Sequence, residues 1–179
     1  MEAITLHDKH FSPYITSDEI KTDVKKLAER LFSDYGHTTP LFIGVLNGSF
    51  IFMADLLREY PGPCEVSFVK VRSYSGTQSS GTVTEVIGLS DRVKDREVVL
   101  IEDIVDTGNT MVALHNIFEG HEPAGLKVAT LFFKPEAYKQ NIPVDYVARE
   151  IQNQFIVGYG LDYDGLGRNL PHVYKIIES

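Results

Sequence analysis

The stretch Val98-Val99-Leu100-Ile101-Glu102-Asp103-Ile104-Val105-Asp106-Thr107-Gly108-Asn109-Thr110 narrows the possible folds more than any other part of this chain. Its opening run is apolar without alternation, so the strand it forms is buried on both faces, as in a parallel sheet covered by helices. The strand then collects acids and breaks into glycine, amide and hydroxyl residues. Those groups belong at a strand end, not inside a core.

The surrounding pattern supports an α/β fold with a mainly parallel sheet. Thr16 followed by Glu19 has the form of a capping box, and Ile20, Val24, Leu27 and Leu31 come at helical spacing, with Gly36 placed to end the helix. Residues 41–46 (LFIGVL) predict a short buried strand, Phe50 to Tyr60 a helix, and Pro61-Gly62-Pro63 a turn. Residues 65–74 read as an alternating strand and the polar, glycine-punctuated 75–84 as a mobile loop. The segment 98–105 is the central strand, Asn109 to Phe118 the helix behind it, and 127–133 (KVATLFF) another apolar strand. Before Thr16 the chain is expected to be irregular. With 179 residues, 43% of them hydrophobic, and no repeat or long linker, one domain spanning 1–179 is expected.

Several function classes drop out. The apolar runs fall far short of the roughly 20 residues a membrane helix needs, and MEAITLHDKH lacks a signal-peptide pattern, so a soluble, cytoplasmic protein is expected. A net charge of −8 argues against a general nucleic-acid or acidic-membrane surface. It leaves room for small anions held by backbone amides, a helix N-terminus and a divalent cation. Cys64 is the single cysteine, which excludes an internal disulfide and a Cys-based metal site. The histidines form no ligand pattern: His7 and His10 fall in the N-terminal segment expected to be irregular, and His115 falls within a helix.

Three polar clusters follow predicted strands: Asn47-Gly48-Ser49, Glu102 to Thr110, and Lys134. In open parallel sheets ligands gather at the carboxyl ends of strands. Carboxylates there accept hydrogen bonds from vicinal hydroxyls or help hold a divalent metal, and Thr107 to Thr110 open a helix where phosphate is stabilised. Ribose plus phosphate is the simplest joint reading. Capping by Asp106 and Thr107, with Glu102 and Asp103 solvated at the strand end, accounts for the same composition. The chain has no GxxxxGK[ST], and the glycines of residues 158–167 miss the GxGxxG register, which disfavours a P-loop or dinucleotide-binding enzyme.

VVLIEDIVDTGNTM closely resembles the phosphoribosyl pyrophosphate (PRPP) motif of type I phosphoribosyltransferases. The segments 45–57, 71–77, 127–134 and 155–173 resemble the hypoxanthine-guanine phosphoribosyltransferases in the same order. That resemblance implies a twisted, mainly parallel sheet flanked by helices, with a small hood built from the N- and C-terminal segments. It implies transfer of a phosphoribosyl group from PRPP to N9 of a 6-oxopurine in purine salvage, with Mg²⁺ as cofactor and a homodimer or homotetramer as the assembly.

Residue by residue, the resemblance implies that Glu102 and Asp103 lie by the ribose hydroxyls and a metal. Asp106 is the general base, and Asp106, Thr107, Gly108, Asn109 and Thr110 form the 5′-phosphate loop. Leu46, Asn47 and Gly48 resemble the pyrophosphate loop, with a non-proline cis peptide between the first two; relatives often carry Lys or Arg where Asn47 stands. Ser73 and Tyr74 resemble the start of a mobile lid that excludes water. Lys134, a donor-only ammonium, would accept a purine O6 and disfavour a 6-amino group. Phe155 would stack on the purine, and Ile156 would offer backbone contacts to its edge. Asp162, on the purine side, would serve a second Mg²⁺ through water, and Arg168 the pyrophosphate. Two alternatives stand beside this expectation, a xanthine-preferring transferase and an RNA-binding regulator on the same fold. The acidic balance and the Lys134 and Phe155 segments argue against the regulator.

Overall fold

Val98, Val99, Leu100 and Ile101 are each at most 1% exposed, the two-sided burial expected of them. The computed structural model of the protein describes residues 1–73, 83–87 and 93–177. In chain order its elements are β1 (Ile4–Leu6), β2 (Lys9–Ile15), α1 (Ser17–Tyr35), β3 (Leu41–Leu46), α2 (Phe50–Glu59), β4 (Glu65–Ser73), β5 (Val83–Ile87), β6 (Glu97–Val105), α3 (Asn109–Glu119), β7 (Gly125–Phe133), β8 (Tyr146–Glu150), β9 (Ile156–Val157) and β10 (Val173–Ile176).

The main sheet has the order β5-β4-β3-β6-β7-β8. Its members from β4 to β8 run parallel, and β5 joins β4 antiparallel at the edge. Helices α1 and α2 cover one face, packing Leu27, Leu31, Phe52 and Leu56 with Phe42, Val99 and Ile101. Helix α3 covers the other, where Met111, Leu114 and Phe118 meet Leu41, Ile43, Val98 and Leu100. Because the parallel strands share one direction, their carboxyl ends lie at one edge, with β6 in the middle.

A second sheet, β1-β2-β10-β9, is antiparallel throughout and forms the hood. The N-terminal segment expected to be irregular is in fact its β1–β2 hairpin, with His10 on β2. The sequence signal is weak there because β1 is three residues long and β2 buries only Phe11 and Ile15 fully. Phe11, Val157 and Tyr174 make the hood's own small core. The residues flanking the hood's last two strands are tied to the helices: Tyr159 Oη donates to the Asp55 carboxylate of α2 at 2.6 Å, and the Ser17 N–H at the start of α1 donates to His172 Nδ1 at 2.9 Å. Residues 75–84 are not a loop throughout as expected: Val83 and Thr84 belong to β5, which pairs with β4. The remainder of that stretch lies outside the described residues.

Helix α1 begins as its sequence dictates. Thr16 Oγ1 accepts from the Glu19 N–H at 3.2 Å, and the Thr16 N–H donates to the Glu19 carboxylate at 2.9 Å. Arg149 of β8 donates to Glu19 and, at 2.6 Å, to Asp23, binding the helix to the sheet edge. The Thr16 hydrogen bonds, then Arg149, bring the Glu19 carboxyl down to about 2 from its ordinary 4.5. A depressed carboxyl stabilises the fold fully above its unfolded value and loses that contribution as pH falls toward its folded one. Thr16→Ala removes the N-cap hydroxyl and is expected to cost about 1 kcal/mol in urea unfolding at neutral pH. The difference in urea midpoint between wild type and Glu19→Gln should shrink as pH is lowered from 4.5 toward 2; a constant difference would contradict the capping box as its source.

Candidate active site

β6 and β7 end side by side, Val105 beside Phe133, and the next residue on each is a candidate from the sequence. The Lys134 N–H extends the ladder to the Val105 carbonyl at 3.0 Å. Its ammonium donates to the Asp106 carboxylate at 2.7 Å. Lys134 is only 5% exposed, so it is folded into the sheet edge and is not a solvated strand-end lysine.

After Asp106 the chain bends and enters α3 through Gly108, which is the N-cap, lies at φ 84°, and leaves the helix without a side-chain cap. Asp106 and Thr107 are thus not simple capping residues. The first amides of α3 stay available to an anion, and Thr107, Asn109 and Thr110 are exposed around them. A Cβ at Gly108 would run into the ring of Tyr138 and into Gln140. Gln140 Nε2 also donates to the Thr107 carbonyl at 3.4 Å and to Asn109 Oδ1 at 3.3 Å, bracing the loop. Sequence reasoning missed Tyr138 and Gln140, since nothing in their local pattern marks a contact with a loop some thirty residues earlier.

Glu102 is 5% exposed, and burial, followed by the neighbouring Asp103, pushes its carboxyl well above the usual range. Asp103 is pushed up to about 6, chiefly by burial, against the pull of backbone N–H groups and of Arg168. One of those bonds is from the Ile104 N–H at 3.0 Å. Neither acid is a solvated strand end. Two carboxylates whose charged forms are disfavoured by burial make a donor set that a divalent cation would relieve. Among the described residues no three His, Cys, Asp or Glu gather closely enough to hold a metal unaided. A divalent cation held at this strand end would take its remaining oxygens from water and a phosphate ligand.

The pyrophosphate-loop candidates pack directly on these acids. The Leu46–Asn47 peptide is cis, and Gly48 lies so close that a Cβ on it would strike the Asp103 carboxylate. Gly160 in turn backs onto the Gly48 carbonyl, leaving no space for a Cβ. Asn47 Oδ1 accepts from Lys70 Nζ of β4 at 3.1 Å. Gly160 belongs to a compact double turn: Gly158 and Leu161 bridge each other, then Tyr163 and Leu166 do. Asp164 and Gly165 both have positive φ, as a type I′ hairpin turn needs. Between the turns, Asp162 accepts from the Gly165 N–H at 2.8 Å and pairs with Arg168 at 2.6 Å, while Arg168 also donates to the Gly160 carbonyl at 2.6 Å. Asp162 and Arg168 therefore sit together, within electrostatic reach of Asp103.

Phe155 is 45% exposed and lies against Phe11 and Tyr163, so it presents a ring at the hood's surface and is not a core aromatic. Ile156 is buried on β9, an edge strand paired on one side only, with β10. The connection leading there is anchored where the Ile151 N–H donates to the Phe133 carbonyl at 2.8 Å, next to Lys134. Of the lid candidates, Ser73 ends β4, and Tyr74 lies outside the described residues.

A strand-end acid pair, an uncapped helix entry and a buried lysine facing a carboxylate coincide here with a family match. Residues 15–164 match the model of the phosphoribosyl transferase domain. The hypoxanthine-guanine phosphoribosyltransferase of Streptococcus thermophilus (strain CNRZ 1066) is 42% identical over 165 residues, 92% of each chain. The chain belongs to the hypoxanthine-guanine phosphoribosyltransferase family.

Another member, from Streptococcus pyogenes serotype M3 (strain ATCC BAA-595 / MGAS315), is 43% identical over 165 residues, again 92% of each chain. Among solved structures, the Bacillus anthracis hypoxanthine-guanine phosphoribosyltransferase matches with a TM-score of 0.85 at 33% identity, covering 93% of this chain and 98% of that one. A hypoxanthine phosphoribosyltransferase of Staphylococcus aureus matches with a TM-score of 0.85 at 34% identity, covering 93% and 91%. These likenesses cover a larger share of the chain than the matched domain of residues 15–164 does.

The Gly48–Gly160 approach sets an expectation for stability. Gly160→Ala adds a methyl where a carbonyl already sits and imposes it on a φ of 99°. It is expected to cost about 1–3 kcal/mol and to lower Tm by several degrees in calorimetry. An unchanged Tm would mean that the hood does not bear on the Gly48 loop as described.

Proposed function

We propose that the protein transfers the 5-phosphoribosyl group of PRPP to N9 of hypoxanthine or guanine, giving the nucleotide and pyrophosphate. The observation that carries this reading is the 2.7 Å contact between Lys134 and Asp106 at adjoining strand ends. It sets a fixed donor beside a fixed acceptor, which is the pattern a 6-oxopurine needs: O6 takes the ammonium's hydrogen and a ring N–H gives up its proton. Adenine offers a donor where Lys134 offers only donors, so it is disfavoured.

As the C1′–oxygen bond to pyrophosphate breaks, N9 bonds to C1′ through an oxocarbenium-like state, and the purine proton passes to Asp106. Glu102 and Asp103 hold the ribose hydroxyls and bind Mg²⁺. When bound, Mg²⁺ supplies charge stabilisation to the leaving pyrophosphate. Thr107 to Thr110 and the α3 amides take the 5′-phosphate, Leu46 to Gly48 and Arg168 the pyrophosphate, and the exposed Phe155 ring stacks on the base while Ile156 meets its edge. Asp162 orders Arg168 and lies on the purine side. The relatives described above are named for hypoxanthine and guanine, which lends no support to a xanthine-preferring enzyme or an RNA-binding regulator.

The same reading takes residues 1–179 as one domain acting in the cytoplasm. No described helix is long and apolar enough to cross a membrane. The half-exposed Phe50, Val66 and Phe68 support a homodimer or homotetramer.

Purified protein with PRPP and Mg²⁺ is expected to convert hypoxanthine and guanine, with xanthine and adenine as comparison bases, in a spectrophotometric assay. No turnover with any 6-oxopurine would overturn the reading. Asp106→Asn is expected to lower kcat by about 100-fold or more while the protein stays folded. Lys134→Ala is expected to act mainly on base binding, raising KM for hypoxanthine about tenfold. Near-normal turnover in Asp106→Asn would remove the proton-transfer role.

A further inference from the structure

The lysines and arginine of the site differ in what they touch. Lys134 meets the Asp106 carboxylate and Arg168 meets Asp162. Lys70 does neither: its ammonium donates to a neutral amide oxygen, Asn47 Oδ1, at 3.1 Å, and among the described residues it forms no ion pair. Its place follows from register. β3 and β4 are parallel with Leu46 beside Lys70, so Lys70 stands level with the carboxyl end of β3, three residues before β4 itself ends, next to the cis Leu46–Asn47 peptide. One residue further on, Gly48 packs against Asp103.

We propose that Lys70 binds the diphosphate of PRPP and the pyrophosphate product, and that Asn47 is the positioning residue that aims its ammonium. This inference rests on the transferase reading given above. A diphosphate approaching the Gly48 loop meets the buried acids Glu102 and Asp103 in a chain of net charge −8. An ammonium already matched by a carboxylate neutralises little of that field, whereas Lys70 brings its full charge. The short Asn47 side chain holds the long lysine in one direction without adding a competing negative charge. When a phosphate oxygen arrives, Lys70 exchanges a bond to a neutral amide for one to an anion, which is the stronger of the two.

The test compares wild type, Lys70→Gln, Lys70→Arg and the double variant N47K/K70Q. Pyrophosphate binding is measured by isothermal titration calorimetry with Mg²⁺ present, and KM is measured for PRPP and for hypoxanthine. Lys70→Gln is expected to weaken pyrophosphate binding and raise the PRPP KM by about tenfold each, leaving the hypoxanthine KM unmoved. Lys70→Arg should stay within about threefold of wild type. The double variant, which returns the charge from the other side of the hydrogen bond, should regain most of the lost affinity. Pyrophosphate affinity in Lys70→Gln within about twofold of wild type overturns the proposal, as does a parallel rise in both KM values, which marks general disruption. Wild type that binds pyrophosphate but converts no base would sink the transferase reading alone, and the calorimetric comparison would still decide Lys70. Wild type that binds no pyrophosphate overturns both.

Discussion

The site depends on β6 being buried on both faces. A strand in that position has no room for polar side chains in its middle, so its acids lie toward its ends, Glu97 at the start and Glu102 and Asp103 near the carboxyl end. Parallel pairing then brings the ends of β3, β4, β6 and β7 to the same edge, and each contributes to the site: the Gly48 loop, Lys70, Glu102 to Asp106, and Lys134. The helices are placed by the same requirement. α1 and α2 shield one face and α3 the other, and the short turn into α3 is what leaves its first amides open beside Asp106.

Electrostatics sharpen this arrangement. Glu102 and Asp103 are held by packing in a place that disfavours their charged forms. That is unfavourable for the bare protein and favourable for a ligand that brings positive charge with it. The paired groups Asp106 with Lys134 and Asp162 with Arg168 flank the acids and fix their own geometry through short contacts. The acidic net charge of the chain therefore says little about which ligands it takes, because the local balance at the sheet edge differs from the total.

Much of this was legible from residues near one another in sequence. The Thr16–Glu19 capping box, the heptad-like run from Ile20 to Leu31, the apolar strands and the acid-to-glycine transition after Ile101 each carry a local signature, and the structure places helices and strands on them. The misses share a physical cause. The β1–β2 hairpin gains its burial from β10, far along the chain, and its own pattern of buried residues is sparse. Val83 and Thr84 sit in a polar stretch that becomes a strand only by pairing with β4. Lys70, Gln140 and Gly160 act through contacts with Asn47, the Thr107 loop and Gly48, and no spacing rule links those positions. Phe155 was legible as an aromatic of interest, but its exposure follows from the hood's shape.

The hood also joins parts of the chain that are far apart in sequence. β2 is among the first strands to leave the ribosome, yet its partner is β10, with Phe11 facing Ile176 across almost the whole chain. The main sheet is complete at β8, well before β10 is made. Closing the hood is thus a contact of long sequence separation, and it costs loop-closure entropy that the neighbouring strands of the main sheet do not meet. The surface carrying Phe155 therefore depends on a pairing between distant parts of the chain, whereas the sheet edge with Glu102 to Asp106 does not.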